Sequence, residues 1–110
     1  MDISWLTARP IAHRGYHDAK NGVIENTLSA AARAVEKGFN LEVDLLLSAD
    51  EEVVVFHDDT LERLTFETGR VDRRTMAELR AIPMRGTDDR IPALDDLLAL
   101  VDGRVGLCLE

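Results

Sequence analysis

The chain has 110 residues, 45% hydrophobic and 31% charged, a balance that suits one folded domain and excludes both a disordered chain and two domains. Its net charge of −8, from 21 acidic against 13 basic residues, argues against nucleic acid or an anionic membrane as a general partner, though not against an anionic substrate if carboxylates gather a metal ion. No apolar run approaches the ~20 residues of a membrane span, MDISWLTARP lacks the regions of a signal peptide, and the single Cys108 rules out an internal disulfide, so the cytoplasm is the expected compartment.

In chain order, residues 10–13 read as a first strand that delivers His13, Arg14 and Gly15. Residues 27–37 follow as a helix, with Asn26 or Thr27 as N-cap, Gly38 past its end, and Leu28, Ala31, Ala32 and Val35 on one face. Residues 39–47 read as a second strand and 53–57 as a third. The polar turn Ser48-Ala49-Asp50-Glu51-Glu52 between them is short enough to join the two without a long helix. Residues 75–82 form a short helix with Thr75 and Glu78 in capping-box spacing. Residues 92–101 form another, with Pro92 near its start. Asp102-Gly103 is a turn, and 105–110 is a fourth strand.

Strands two and three are apolar on both faces, as buried parallel strands tend to be. Alternation of such strands with helices means a doubly wound sheet or a barrel. A chain stopping inside strand four leaves an open edge, so the expectation is the N-terminal part of a larger fold; a complete eight-stranded barrel needs ~250 residues.

The polar residues gather at strand ends. Side chains alternate along a strand, so Glu42 and Asp44 share a face, while Leu41, Val43 and Leu45 share the other. Two carboxylates on a buried face are costly unless a cation compensates, and a hard divalent ion with Glu110 as third oxygen ligand is the economical explanation. The competing reading is a solvated edge strand. His13 closes strand one and His57-Asp58 close strand three, so His13, Glu42, Asp44, His57 and Glu110 all fall at the rim where α/β active sites form. Two histidines beside such a metal suit acid–base work, and Arg14 suits a phosphate.

Taken together, His13-Arg14-Gly15, Glu25-Asn26-Thr27, Glu42-x-Asp44, His57-Asp58 and Glu110 resemble the N-terminal half of a glycerophosphodiester phosphodiesterase. The likeness runs from about Ile11 to Glu110 and takes in LLLSADEEVVVFHDDTLERLT and RIPALDDLL. It implies the first part, about four strands, of a (β/α)8 TIM barrel beginning about residue 8 and continuing past residue 110. It also implies hydrolysis of glycerophosphodiesters, small-molecule substrates, to glycerol 3-phosphate and an alcohol. Glu42, Asp44 and Glu110 would bind Ca²⁺ or Mg²⁺, His13 and His57 would form the acid–base pair, Arg14 would contact phosphate, and Glu25 would support the pocket.

The chain departs from the family's pattern at Ile24, where a Pro is usual, at Glu51, where a turn Gly is common, and at Ser48, where Thr is common. The Lys that follows the last glutamate in the family is absent, so residues 1–110 alone are expected to be inactive. Two alternatives accompany this reading: a noncatalytic half-barrel that self-associates through open barrel edges, and a lysophospholipase D-type enzyme.

The remaining polar and apolar features have plainer expectations. His17 reads as exposed or at the pocket rim, and Asp50-Glu51-Glu52 as a solvated turn. Arg63 either rests near the site, as the resemblance implies, or pairs on the surface. Cys108, on the Glu110 face, reads as a small packed hydrophobe, Trp5 as a cap on the barrel bottom, and Met76 and Leu79 as helix core.

Overall fold

A computed structural model describes residues 11–15, 17–18 and 21–110. Trp5 and Pro10 lie outside the described residues. The chain opens with β1 (Ile11–His13) and, after a loop, enters α1 (Leu28–Lys37). Thr27 caps α1 by accepting from the Ala30 N–H, and Gly38 ends it in the left-handed conformation, φ 72°, so both caps are those expected. The buried face differs: Ala30, Ala31 and Ala34 are buried, whereas Ala32 is exposed. In an alanine-rich helix the small side chains carry too little contrast to fix the face.

β2 (Asn40–Val43) follows and pairs parallel with β1, Ile11 opposite Asn40 and His13 opposite Glu42. Here the expected long second strand breaks. The chain leaves the sheet at Asp44, and β3 (Leu45–Leu47) pairs antiparallel with β4 (Val53–Val55) in a hairpin. The third strand is therefore not a parallel member of the sheet, and its strand geometry ends at Val55, before His57. The physical reason is length: a parallel crossover needs a dozen residues or more, and Ser48 to Glu52 supplies five.

A short 3₁₀ turn (Val71–Arg73) and α2 (Met76–Arg80) complete an insert, with the Thr75/Glu78 capping box in place. Asp50 is more than a solvated turn residue, since its carboxylate also accepts from the Met76 N–H and so caps α2. α3 (Leu94–Val101) then starts two residues later than expected, because Ala93 bridges Val54 and the Pro92 carbonyl accepts from the Val55 N–H. β5 (Leu107–Leu109) returns to the sheet beside β2, giving the parallel order β1-β2-β5.

Two cores result. Ala12, Leu41 and Val43 turn one sheet face toward Ala31, Ala34, Leu97 and Val101 of α1 and α3. Val54, Phe56, Leu61, Met76, Leu79 and Met84 form a second cluster inside the insert. β4 serves both: Val54 packs into the insert and Val55 into the sheet–helix core. Among the described residues no helix is long and apolar enough to cross a membrane. The architecture is mixed α/β, with a parallel sheet backed by helices.

Candidate functional site

The site begins where β1 ends. Arg14 takes a left-handed backbone, φ 56°, and Gly15 follows at φ 82°. A non-glycine residue there costs on the order of 1–2 kcal/mol, and such strain clusters at functional positions. Arg14 is held by its carbonyl, which accepts from the Asn26 N–H at 2.8 Å, and by Nη1, which donates to Glu25 Oε2 at 3.1 Å. Its Nε lies 3.1 Å from Asp44 Oδ2 but is buried without a properly directed hydrogen bond. Asn26, itself left-handed, donates from Nδ2 to Asp44 Oδ2 at 3.0 Å. Arg14, Glu25, Asn26 and Asp44 are thus one cross-linked unit.

The sheet face opposite the helices carries the other residues. His13, Glu42 and Cys108 are neighbours across β1, β2 and β5, so their side chains share that face. The His13 Nε2 stands 3.1 Å from Glu42 Oε1. The Glu110 N–H donates to the Val43 carbonyl and the Leu45 N–H to the Glu110 carbonyl, which sets Asp44 directly opposite Glu110 on the same face. The three carboxylates expected to bind metal therefore lie on one side of the sheet. They do not converge: among the described residues no group of three His, Cys, Asp or Glu side chains is placed to hold an ion. Glu42 is engaged by His13, and Asp44 by Arg14 and Asn26.

His57 arrives from the insert and is exposed, as is His13. Its Nδ1 is 2.8 Å from Asp58 Oδ1. Arg63 joins that pair to the β1–α1 connection. Its Nε and Nη2 donate to Asp58 at 2.7 and 3.0 Å, and its Nη1 and Nη2 donate to Glu25, both at 2.9 Å. Burial raises the Glu25 carboxyl, but the hydrogen bonds and charge of Arg63, with the charge of Arg14, outweigh it and hold the group below its ordinary value. Hydrogen bonds from Arg63 lower Asp58 to about 2, against the upward pull of its partial burial. The same two carboxylates raise Arg63 further above its ordinary value.

Asp58 and Arg63 are the members that sequence reasoning undervalued. The signals available were the polar run after Phe56 and the resemblance around Arg63, and neither reveals that this guanidinium turns back to Glu25. His17 is exposed, and Met76 and Leu79 are buried in the insert core, as expected. A cavity of about 520 Å³ lies beside the hairpin, lined by Leu45, Leu47, Val53 and Arg70 among others, and none of the seven candidate site residues lines it. Asp59, Arg70 and Asp72 are its charged lining, and Arg70 is paired with Asp72.

Residues 13–107 match the glycerophosphoryl diester phosphodiesterase family. A glycerophosphodiester phosphodiesterase of Caldanaerobacter subterraneus is 38% identical over 98 residues, covering 83% of this chain and 39% of that protein. A lysophospholipase D of Rattus norvegicus is 36% identical over 103 residues, covering 82% and 32%. In three dimensions, a phosphodiesterase of Oleispira antarctica solved in complex with the product sn-glycerol-3-phosphate superposes with a TM-score of 0.80 at 31% identity, covering 92% of this chain and 43% of that one. The chain spans between 21% and 43% of the length of the curated relatives it matches.

Proposed function

The chain belongs to the glycerophosphoryl diester phosphodiesterase family, and on that premise we propose that it is the first part of a (β/α)8 barrel, beginning about residue 8 and continuing past residue 110, whose complete form hydrolyses glycerophosphodiesters to glycerol 3-phosphate and an alcohol. The observation that carries this reading is the register of β1, β2 and β5. It sets His13, Glu42, Asp44 and Glu110 on the face away from the helices, with Arg14 at the end of β1. In a barrel that face is the interior, and the C-terminal strand ends are where active sites form.

Arg14 would contact the phosphoryl oxygens. Its guanidinium is already charge-paired and held by Glu25, and its Nε is short of one acceptor. His13 and His57 would share the proton work: one accepts the proton of the attacking hydroxyl, and the other returns a proton to the leaving alcohol oxygen. Glu25 would act as a support, holding Arg14 in its strained conformation.

A divalent ion, Ca²⁺ or Mg²⁺, fits the donor chemistry. Three hard carboxylates share one sheet face, and Asp44 is nearly buried beside the unsatisfied Arg14 Nε. Glu42, Asp44 and Glu110 would hold it once Glu42 turned from His13 and Asp44 from Arg14. When bound, the ion would supply positive charge to phosphoryl oxygens in an otherwise acidic setting. Purification of the complete barrel and assay of glycerophosphocholine hydrolysis, with and without chelator, tests the reading. Absence of glycerol 3-phosphate release by a folded, metal-supplied enzyme overturns it.

A second reading is favoured by the lysophospholipase D relative at 36% identity: the same residues would act on a lysophospholipid. Comparing glycerophosphocholine with lysophosphatidylcholine as substrates separates the two. Self-association is a further proposal for residues 1–110 alone, supported by the exposed Ile11 and Leu109 on the two outer strands of the sheet.

A further inference from the structure

Arg63 spends four N–H donors on two carboxylates that come from different parts of the fold, Glu25 before α1 and Asp58 in the insert. Such a double fork is specific to a planar guanidinium; an ammonium is a point charge and cannot span both carboxylates in this way. Each carboxylate has a second duty. Glu25 also accepts from Arg14, and Asp58 also accepts at the His57 Nδ1. The result is one continuous chain of contacts, Arg14–Glu25–Arg63–Asp58–His57. Without the guanidinium, Glu25 and Asp58 would face one another as like charges, a repulsion already felt by Glu25.

We infer that Arg63 is a positioning residue for His57. It pins Asp58 so that Asp58 accepts from the Nδ1–H of the imidazole and leaves Nε2 without a proton in the neutral ring. Asp58 in turn selects the ring tautomer, since the hydrogen bond made by one ring nitrogen determines which nitrogen keeps the proton. Through Glu25, the same guanidinium ties the placement of His57 to that of Arg14, so the phosphate contact and the acid–base group move together. The catalytic part of this inference rests on the phosphodiesterase reading; the tautomer part does not.

The test uses R63Q and R63K in the complete barrel. The chain has three histidines, so the His57 signals in a long-range ¹H–¹⁵N spectrum are assigned by comparison with H57N. Wild-type neutral His57 should show the Nδ1–H tautomer, and R63Q a mixture containing the Nε2–H form. In R63Q, kcat should fall on the order of 10²-fold, the lower end of what a general acid–base group contributes, while KM stays within about threefold. R63K should restore neither the tautomer nor kcat, because the double fork is lost. D58N, whose single oxygen is drawn to the Arg63 donors so that its NH2 is left to donate to Nδ1, should reproduce the tautomer change with Arg63 intact. An R63Q protein with the wild-type tautomer and wild-type kcat overturns the proposal, as does full rescue by R63K. If R63Q does not fold, R63K and D58N carry the same two readouts. A wild-type barrel with no phosphodiesterase activity overturns the proposed function, and the tautomer comparison still decides the role of Arg63.

Discussion

Gly15 backs onto Ala30 so closely that a Cβ built on residue 15 would sit 2.8 Å from the Ala30 Cβ. Ala30 is fully buried in the first turn of α1, and Gly15 has φ 82°, so both space and backbone demand glycine. Gly15→Ala should therefore destabilise the fold by about 1–3 kcal/mol, the range for forcing extra volume into a packed site. It should also displace Arg14, its immediate neighbour. Chemical denaturation measures the first effect. An unchanged midpoint would mean that α1 is free to retreat from the loop.

Glu51 presents the opposite case. It adopts φ 61° in the turn between β3 and β4, a conformation that suits glycine, and its side chain is exposed. Glu51→Gly should raise stability by on the order of 1 kcal/mol, since relief of left-handed strain exceeds the extra entropy of an unfolded glycine. A midpoint lower than wild type would show that the turn does not hold this conformation in solution.

The Glu25–Arg63–Asp58 cluster predicts an acid limb in the stability curve. Both carboxyls titrate lower in the folded chain than their ordinary values of 4.5 and 3.8. Between the folded and ordinary values the unfolded state binds more protons, so stability falls with falling pH. Their contribution is complete above those ordinary values and disappears as pH drops toward about 2, the folded value of Asp58. Denaturant midpoints measured over the range from about pH 6 to about pH 3 should decline, and E25Q and D58N should flatten the decline. Parallel curves for wild type and both variants would place the acid sensitivity elsewhere.

The proposed ion makes a thermodynamic prediction for the complete barrel. A ligand that binds only the folded state stabilises it by RT ln(1 + [L]/Kd), roughly 2.7 kcal/mol at a hundredfold excess over Kd. Ca²⁺ or Mg²⁺ should raise the melting temperature accordingly, and Glu42→Gln should remove most of the rise. An unshifted melting temperature on addition of either ion counts against Glu42, Asp44 and Glu110 as ligands.

For the reaction proposed for the complete barrel, a glycerophosphodiester carries a hydroxyl next to its phosphoester, and intramolecular attack can contribute ~7–11 kcal/mol in effective molarity. A cyclic phosphate is then the expected first product, with His13 and His57 exchanging acid and base roles when water opens it. Replacing either histidine should cost on the order of 10²–10⁴ in kcat. The informative substrate has hydrogen in place of the glycerol 2-hydroxyl, and rapid hydrolysis of it excludes the cyclic route.

What could be read from the residues alone was mostly local. The Thr27 and Gly38 caps and the Thr75/Glu78 box follow from short-range hydrogen bonding and needed no tertiary context. β1, β2 and the shared face of Glu42 and Asp44 followed from alternation. The break at Asp44 did not, because an apolar run from Phe39 to Leu47 looks the same whether it is one strand or two. The decisive clue was the five-residue connection, too short for a parallel return. For Arg63 the resemblance offered a place near the site as one of two readings, but its partners did not show, because no periodicity links a loop guanidinium to a carboxylate 38 residues earlier.

The excursion that begins at Asp44 leaves and rejoins the sheet layer through a single doorway. The Asp44 carbonyl accepts from Phe56 and the Pro92 carbonyl from the adjacent Val55, so the two ends of the 45–92 segment stand side by side. A segment with its own core and neighbouring ends can grow or shrink at its outer turns while Leu45 and Val55 keep their places against the sheet. A remodelled annex would still have to keep Val55 in the sheet–helix core and the Arg63 fork on Glu25.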